Sequence, residues 1–286
     1  MSKNAPVAVV TGASRGAGRG IALALGSHGC TVYVTGRSEQ AADSPLPGTI
    51  YETAEAVTAA GGKGIPVRVD HANDEEVKAL FERVKEEQGK LEILVNNACA
   101  LHDDLTLPGN FWEKSLGIVN MLDVGLRSSY VASYYAAPLM VENKHGLIVF
   151  TSASGSVHYV YGPVYGAHKA GMDKFAADMG VDLKPFNVAA VSVWMGALKA
   201  ERLMQLIESD REKYGYLENV TETPEFTGHV IWGLYNDPEL MSISGETVIG
   251  AEMAVKYGFS DNDGRQPRSC RENGVEPRVQ HPYTIR

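Results

Sequence analysis

Tyr165 precedes Lys169 by four residues in the stretch "VYGPVYGAHKAG" (160–171). On a helix, positions i and i+4 share a face one turn apart. An ammonium that close favours the charged form of a phenol, and so draws its pKa down from about 10 towards neutral. A phenol tuned in this way can give a proton to a carbonyl oxygen or take one from an alcohol. The pair by itself is also compatible with two unrelated residues on an exposed helix face. Its chemistry requires a cofactor site and a polar partner elsewhere in the chain.

The cofactor site is expected in "VAVVTGASRGAGRGIAL", which runs from an apolar strand through a glycine turn into a helix. Gly12, Gly16 and Gly18 let the backbone turn tightly and approach a ligand closely. The helix that follows offers free N–H groups and the positive end of its dipole, which suits a diphosphate. The spacing departs from the strict GxGxxG form of the dinucleotide fingerprint. The end of the second strand selects the nucleotide: a carboxylate there binds a ribose 2′-OH, and an arginine accommodates a 2′-phosphate. Here it reads "VTGRS", with Arg37 and no acid, and Arg15 lies in the glycine turn. Two cations and no carboxylate favour NADP(H) over NAD(H).

The elements that must position these residues alternate along the chain. Short apolar runs suit buried strands: 6–11, 31–35, 64–69, 91–96, 146–152, 187–194 and, late, 246–250. Helix-length segments separate them. In "NDEEVKALFERVKEEQG", Val77, Leu80, Phe81 and Val84 form one stripe, with Asn73 as cap and Gly89 as stop. Strands alternating with helices predict an α/β fold: a single doubly wound Rossmann domain over residues 1–257, with a parallel sheet of about seven strands covered on both faces. Residues 38–48 read as a Pro-rich loop. Residues 197–223 read as a charged, partly helical lid over the substrate. Residues 258–286 read as a polar, extended or partly disordered tail.

Composition narrows the partners. The 286 residues carry a net charge of −9, which disfavours nucleic acid and anionic membrane. No apolar stretch approaches the length that spans a bilayer. Cys30, Cys99 and Cys270 form no CxxC pair, and the eight histidines show no ligand spacing, so no metal site is expected. Few cysteines and no signal-like N-terminus suggest a reducing, cytoplasmic setting. His158 and His168 read as surface positions. Tyr159, Tyr161 and Trp194, with Leu203 and Met204, read as lining a pocket or its rim. Such a pocket suits a small apolar carbonyl or alcohol substrate.

Taken in order, these motifs resemble the short-chain dehydrogenase/reductase family over roughly residues 6–250. "TGASRGAG" is similar to its TGxxxGxG cofactor loop, "VNNA" (95–98) to its NNAG motif and "YGAHK" to its YxxxK. Ser152 lies 13 residues before Tyr165, the family's usual serine–tyrosine separation. Asp70, after the third strand, stands where the family has an aspartate beside the adenine. The resemblance implies that Gly12, Ser14, Arg15, Gly16, Gly18, Arg37, Asp70, Asn97, Lys169 and Gly196 contact the cofactor. It implies Tyr165 as general acid in reduction, Lys169 on the nicotinamide ribose and lowering the Tyr165 pKa, and Ser152 on the substrate oxygen. Read without the resemblance, Ser152 is a strand-end hydroxyl bonded to backbone. A homodimer or homotetramer through the fourth and fifth helices is also implied.

Four positions depart from the family pattern. Cys99 replaces the glycine of NNAG. Gly125, in "DVGLRSS", takes the place of the fourth-helix asparagine that helps hold a relay water; Asn120, on the same helix in this reading, is the alternative register. Met195 replaces the proline of the PG that ends the sixth strand, and Ala200 replaces the threonine that binds the carboxamide. These changes leave a second reading open, a non-catalytic NADP(H)-binding protein that kept the fold. A third keeps the enzyme but changes the reaction to enone reduction or epimerisation.

Overall fold

The computed structural model describes residues 5–285. Seven strands form one parallel sheet: β1 (Val7–Val10), β2 (Thr31–Gly36), β3 (Lys63–Arg68), β4 (Ile93–Asn96), β5 (Gly146–Ser152), β6 (Val188–Trp194) and β7 (Thr247–Ile249). Their order is β3-β2-β1-β4-β5-β6-β7. Each coincides with an apolar run read from the sequence. Alternate residues of one strand enter different cores. Ala8 and Val10 pack on one face, with α1 (Gly16–Ser27), α2 (Ile50–Ala59) and α8 (Phe226–Tyr235). Val7 and Val9 pack on the other, with α3 (Asp74–Gln88), α4 (Ser128–Asn143) and α5 (Pro163–Leu183). A strand buried on both faces has no polar side to alternate, so the parallel strands read as continuous apolar runs.

The predicted caps of α3 are present. The Asn73 side chain accepts the Glu75 N–H at 3.1 Å, Gly89 closes the helix at φ 69°, and Val77, Leu80, Phe81 and Val84 are all buried. The segment 197–223 is partly helical, with α6 (Glu201–Ser209), α7 (Arg211–Tyr214) and a 3₁₀ turn. After β7 comes α9 (Gly250–Tyr257).

One expectation is corrected, and contacts are added to another. The fourth helix does not run continuously through the "DVGLRSS" stretch. Residues Leu122–Arg127 form a distorted turn with non-helical Val124 and Gly125, and Asn120 lies before it, exposed, just after a separate 3₁₀ segment, Leu116–Val119. The tail is extended but tethered: Asp261 accepts the Thr223 N–H at 2.7 Å, and Arg265 donates to the carbonyls of Asn219 and Thr221.

The chain winds from β1 to β2 and β3 on one side, then returns past β1 to build β4 through β7. The strand order therefore reverses between β1 and β4. In an open parallel sheet, a crevice for ligands lies beyond the carboxyl ends of the strands at such a point.

Candidate active site

The sequence-predicted residues gather along that carboxyl edge, because each follows a strand. Gly12, Ser14, Arg15, Gly16 and Gly18 follow β1. Arg37 follows β2, Asp70 β3, Asn97 β4 and Gly196 β6, and Ser152 ends β5. The glycine turn is close-packed as well as left-handed. Gly12 has φ +65°, and a Cβ there would lie 2.7 Å from Ala98 Cα. A Cβ on Gly18 would lie 2.3 Å from the Gly12 carbonyl and 2.5 Å from Asn97 Nδ2. A larger residue is excluded at Gly12 and Gly18, so the turn stays tight and sets the amide end of α1 at the β1–β4 crevice. That is the shape and polarity a dinucleotide diphosphate requires, so the residues present fit a nicotinamide cofactor.

Asn97 serves the turn directly. Its amide donates to the carbonyls of Thr11 and Gly12 at 2.9 and 3.1 Å. Thr11 completes the tie: its hydroxyl accepts the N–H groups of Asn97 and Ala98 at 2.9 and 3.0 Å. Arg15 is engaged by the loop after β2, donating to Ser38 Oγ, Gly48 O and Pro47 O at 2.9, 2.7 and 3.1 Å. Ser14 is buried beneath that loop. Arg37 is exposed and stands 3.6 Å from the Asp70 carboxylate.

Tyr165 and Lys169 lie one turn apart on α5, which begins at Pro163 with its φ preset for a helix. The Lys169 ammonium lies 5.7 Å from the centre of the Tyr165 ring and donates to the Thr151 carbonyl at 3.1 Å. Ser152, fully buried, donates to the Lys169 carbonyl at 3.2 Å. β5 and α5 thus bring all three residues into one cluster. The Tyr165 ring packs on the backbone of Gly155, where a Cβ would lie 2.5 Å from a ring carbon. Tyr161 meets Tyr165 edge-on, with ring centres 5.3 Å apart.

The electrostatics differ from the sequence expectation. Burial, reinforced by Tyr161 and Cys99, pushes the Tyr165 phenol above its ordinary value. The net shift is upward even with the Lys169 ammonium 5.7 Å from the ring, where it donates to the Thr151 carbonyl. Burial lowers Lys169 in turn. The Cys99 thiol is pushed up to about 11 by burial, so it stays protonated.

Two further readings are corrected here. Trp194 does not line a pocket: it is buried, and its indole N–H donates to Asp173 at 3.0 Å, fixing β6 to α5. His168 is not a surface residue. It is buried, neither ring nitrogen has a hydrogen-bond partner among the described residues, and burial lowers its pKa to about 2. It fills the space over Gly125, where a Cβ would lie 2.9 Å from His168 Nε2. The imidazole therefore occupies the room that a fourth-helix side chain would need. Tyr159 and Tyr161 are exposed, and Leu203 and Met204 half-buried, as a rim would have them.

Sequence reasoning missed Glu201 and Glu222. Glu201 Oε2 accepts the Gly16 N–H at 2.9 Å. Glu222 is buried, and its carboxylate accepts the Gly196 N–H at 3.1 Å. Burial and the nearby Asp261 raise Glu222 to about 7, against the pull of that N–H. Both acids act across long sequence separations, and no local pattern marks them.

Residues 6–211 match the family model described as short chain dehydrogenase. The chain is 38% identical over 273 residues to dehydrogenase/reductase SDR family member 1 of Homo sapiens, covering 92% of this chain and 85% of that one. It is 31% identical to human hydroxysteroid dehydrogenase-like protein 2 over 257 residues, 89% of this chain and 58% of that one. Among solved structures, one from Xanthomonas campestris superposes with a TM-score of 0.77 at 25% identity, covering 92% of this chain and 94% of that one. A short chain dehydrogenase from Mycobacterium thermoresistibile matches in fold, with a TM-score of 0.77 over 99% of this chain and 98% of that one. With its seven-stranded doubly wound sheet, its glycine turn at the switch point and these relatives, the chain belongs to the short-chain dehydrogenase/reductase family of oxidoreductases, on the branch resembling member 1.

Proposed function

We propose that the protein is an NADP(H)-dependent oxidoreductase acting on a small apolar carbonyl or alcohol, with Tyr165 as general acid/base. The observation that carries this reading is the cluster of Ser152, Tyr165 and Lys169 at the end of β5, on the same sheet edge as the glycine turn. When bound, the nicotinamide supplies or accepts the hydride. The chain supplies the proton. Burial keeps the Tyr165 phenol protonated near neutral pH, the form that donates to a carbonyl oxygen during reduction. Lys169, 5.7 Å from the ring, stabilises the phenolate left behind. Ser152 turns from the Lys169 carbonyl to donate to the same substrate oxygen, fixing its position. Tyr161, Tyr159, Leu203 and Met204 give the approach an apolar character.

The preference for NADP(H) is supported by the end of β2. Gly36, Arg37 and Ser38 carry no acid there, and Arg15 is held to Ser38 beside exposed Arg37. Exposed Tyr130 and Tyr134 on α4 suit assembly of a homodimer or homotetramer through that helix. Among the described residues no helix is long and apolar enough to cross a membrane, and no group of acids, cysteines and histidines could hold a metal ion. The lid role of 197–223 is part of this reading.

The test is NADPH oxidation followed at 340 nm against aldehydes, ketones, quinones and steroids, with NADH in parallel. Turnover is expected with NADPH. Tyr165→Phe is expected to lose it by at least a hundredfold while still binding nucleotide. A Tyr165→Phe protein with full turnover would remove the mechanism. Tight NADPH binding by the wild type, with no turnover of any compound, would favour the non-catalytic binder. The Ser152 hydroxyl, committed to backbone, and the imidazole over Gly125 are the features that point that way.

A further inference from the structure

The amide end of α1 has no acidic residue in its first turn, and its cap residue, Arg15, makes no side-chain cap. A carboxylate from elsewhere is seated on it. Glu201, the first residue of α6, accepts the Gly16 N–H with both oxygens, at 2.9 and 3.2 Å, across 185 residues of sequence. The start of α6 lies over the turn: a Cβ on Gly16 would be 3.7 Å from Glu201 Oε2 and 3.9 Å from Ala200 Cβ. The next residue, Arg202, pins α6 to the loop after β4 through Asp103, at 2.7 Å, and the Leu101 carbonyl, at 3.3 Å.

We propose that Glu201 is an internal competitor for the cofactor's diphosphate, and so a residue that sets cofactor affinity. The carboxylate and the diphosphate are both anions that satisfy the same amides and the same dipole end, and they repel each other. One must leave for the other to bind. Displacing Glu201 frees the start of α6, so the arrival of the nucleotide is coupled to movement of segment 197–223. The energy of the Glu201 contact is subtracted from the affinity the glycine turn would otherwise have. This proposal rests on the reading of the α1 amide end as the diphosphate position. That reading stands on the glycine turn and the family match, independently of Glu201.

The experiment is calorimetric titration of NADPH into the wild-type protein, Glu201→Gln and Glu201→Ala. Hydrogen exchange at the Gly16 amide and along 201–209 is measured with and without nucleotide. Glu201→Ala is expected to bind NADPH about three- to tenfold more tightly than wild type, as the loss of a charge at a helix end predicts. Glu201→Gln, nearly the same shape without the charge, is expected to fall between them. The Gly16 amide is expected to exchange faster in Glu201→Ala without nucleotide, and 201–209 to exchange faster in wild type once NADPH is bound. Wild type that binds NADPH, with variants that bind it no more tightly, overturns this proposal and leaves the functional reading intact. A wild type that binds neither NADPH nor NADH overturns both.

Discussion

The contact between Gly125 and His168 shows how two unremarkable residues depend on each other. Gly125 has φ 166° and ψ −76°, an extended φ open to any residue, so the constraint there is steric rather than conformational. The His168 imidazole takes the space, buried and without a partner for either nitrogen among the described residues. Gly125→Ala would press a methyl group into that ring and is expected to cost about 1–3 kcal/mol, the usual range for overpacking. In a His168→Ala background the same change should cost markedly less. Chemical denaturation of the four proteins of this double-mutant cycle measures the coupling. Additive effects would show that the two residues do not share the space.

At the scale of elements, the tail and the proposed lid form one unit. Both ends of 197–223 are joined to each other and to the tail. The Lys199 N–H donates to the Glu222 carbonyl at 2.8 Å, and the Glu222 N–H to the Ala197 carbonyl at 2.8 Å. The Lys199 ammonium meets Asp263 at 2.8 Å, while the Thr223 N–H and hydroxyl both donate to buried Asp261. A charged, Pro-containing tail suggests a loose end, and the tethering appears only when Asp261 meets the Thr223 N–H, Asp263 the Lys199 ammonium and Arg265 the carbonyls of Asn219 and Thr221. Ending the chain at residue 258 is expected to leave the sheet folded while tryptic cleavage within 197–223 speeds up several-fold. Asp261→Asn should do the same to a smaller degree. Cleavage rates unchanged by either would show that the clamp does not restrain the segment.

At the scale of the whole molecule, buried titratable groups set opposing pH limits. His71 and His168 are held neutral by burial, His71 down to about 4 and His168 to about 2, from 6.5. The unfolded chain takes up these protons first, so stability is lost as pH falls below about 6.5. Glu222 has the opposite sign. Its folded pKa is raised from 4.5 to about 7, so its contribution is complete below 4.5 and is lost as pH rises to 7 and beyond. Thermal melts from pH 4 to 9 are expected to show Glu222→Gln losing less stability than wild type between pH 5 and 8. Parallel curves for the two proteins would contradict the assignment. The same carboxyl holds the Gly196 N–H, so its ionisation falls on the loop that follows β6.

The sequence by itself determined the strands, the glycine turn and the Tyr165–Lys169 pair, because each is written in contiguous residues. Parallel strands buried on both faces leave unbroken apolar runs, and a turn with no room for a Cβ at two of its positions leaves glycines at Gly12 and Gly18. The α3 stripe and its caps were legible for the same reason. What tertiary structure decided are the positions where one side chain answers another far along the chain. His168 is buried because α5 packs against a distorted turn that no periodicity announces. Trp194 is in the core because Asp173 receives its N–H. The Tyr165 phenol is raised, not lowered, because packing against Gly155 and Tyr161 removes water while Lys169 is turned to a backbone carbonyl. Glu201 and Glu222 took on meaning only when the fold placed their carboxylates on the amides of Gly16 and Gly196. Local sequence fixes which backbone shapes are affordable, but burial and charge at a site depend on which distant groups the fold brings within reach.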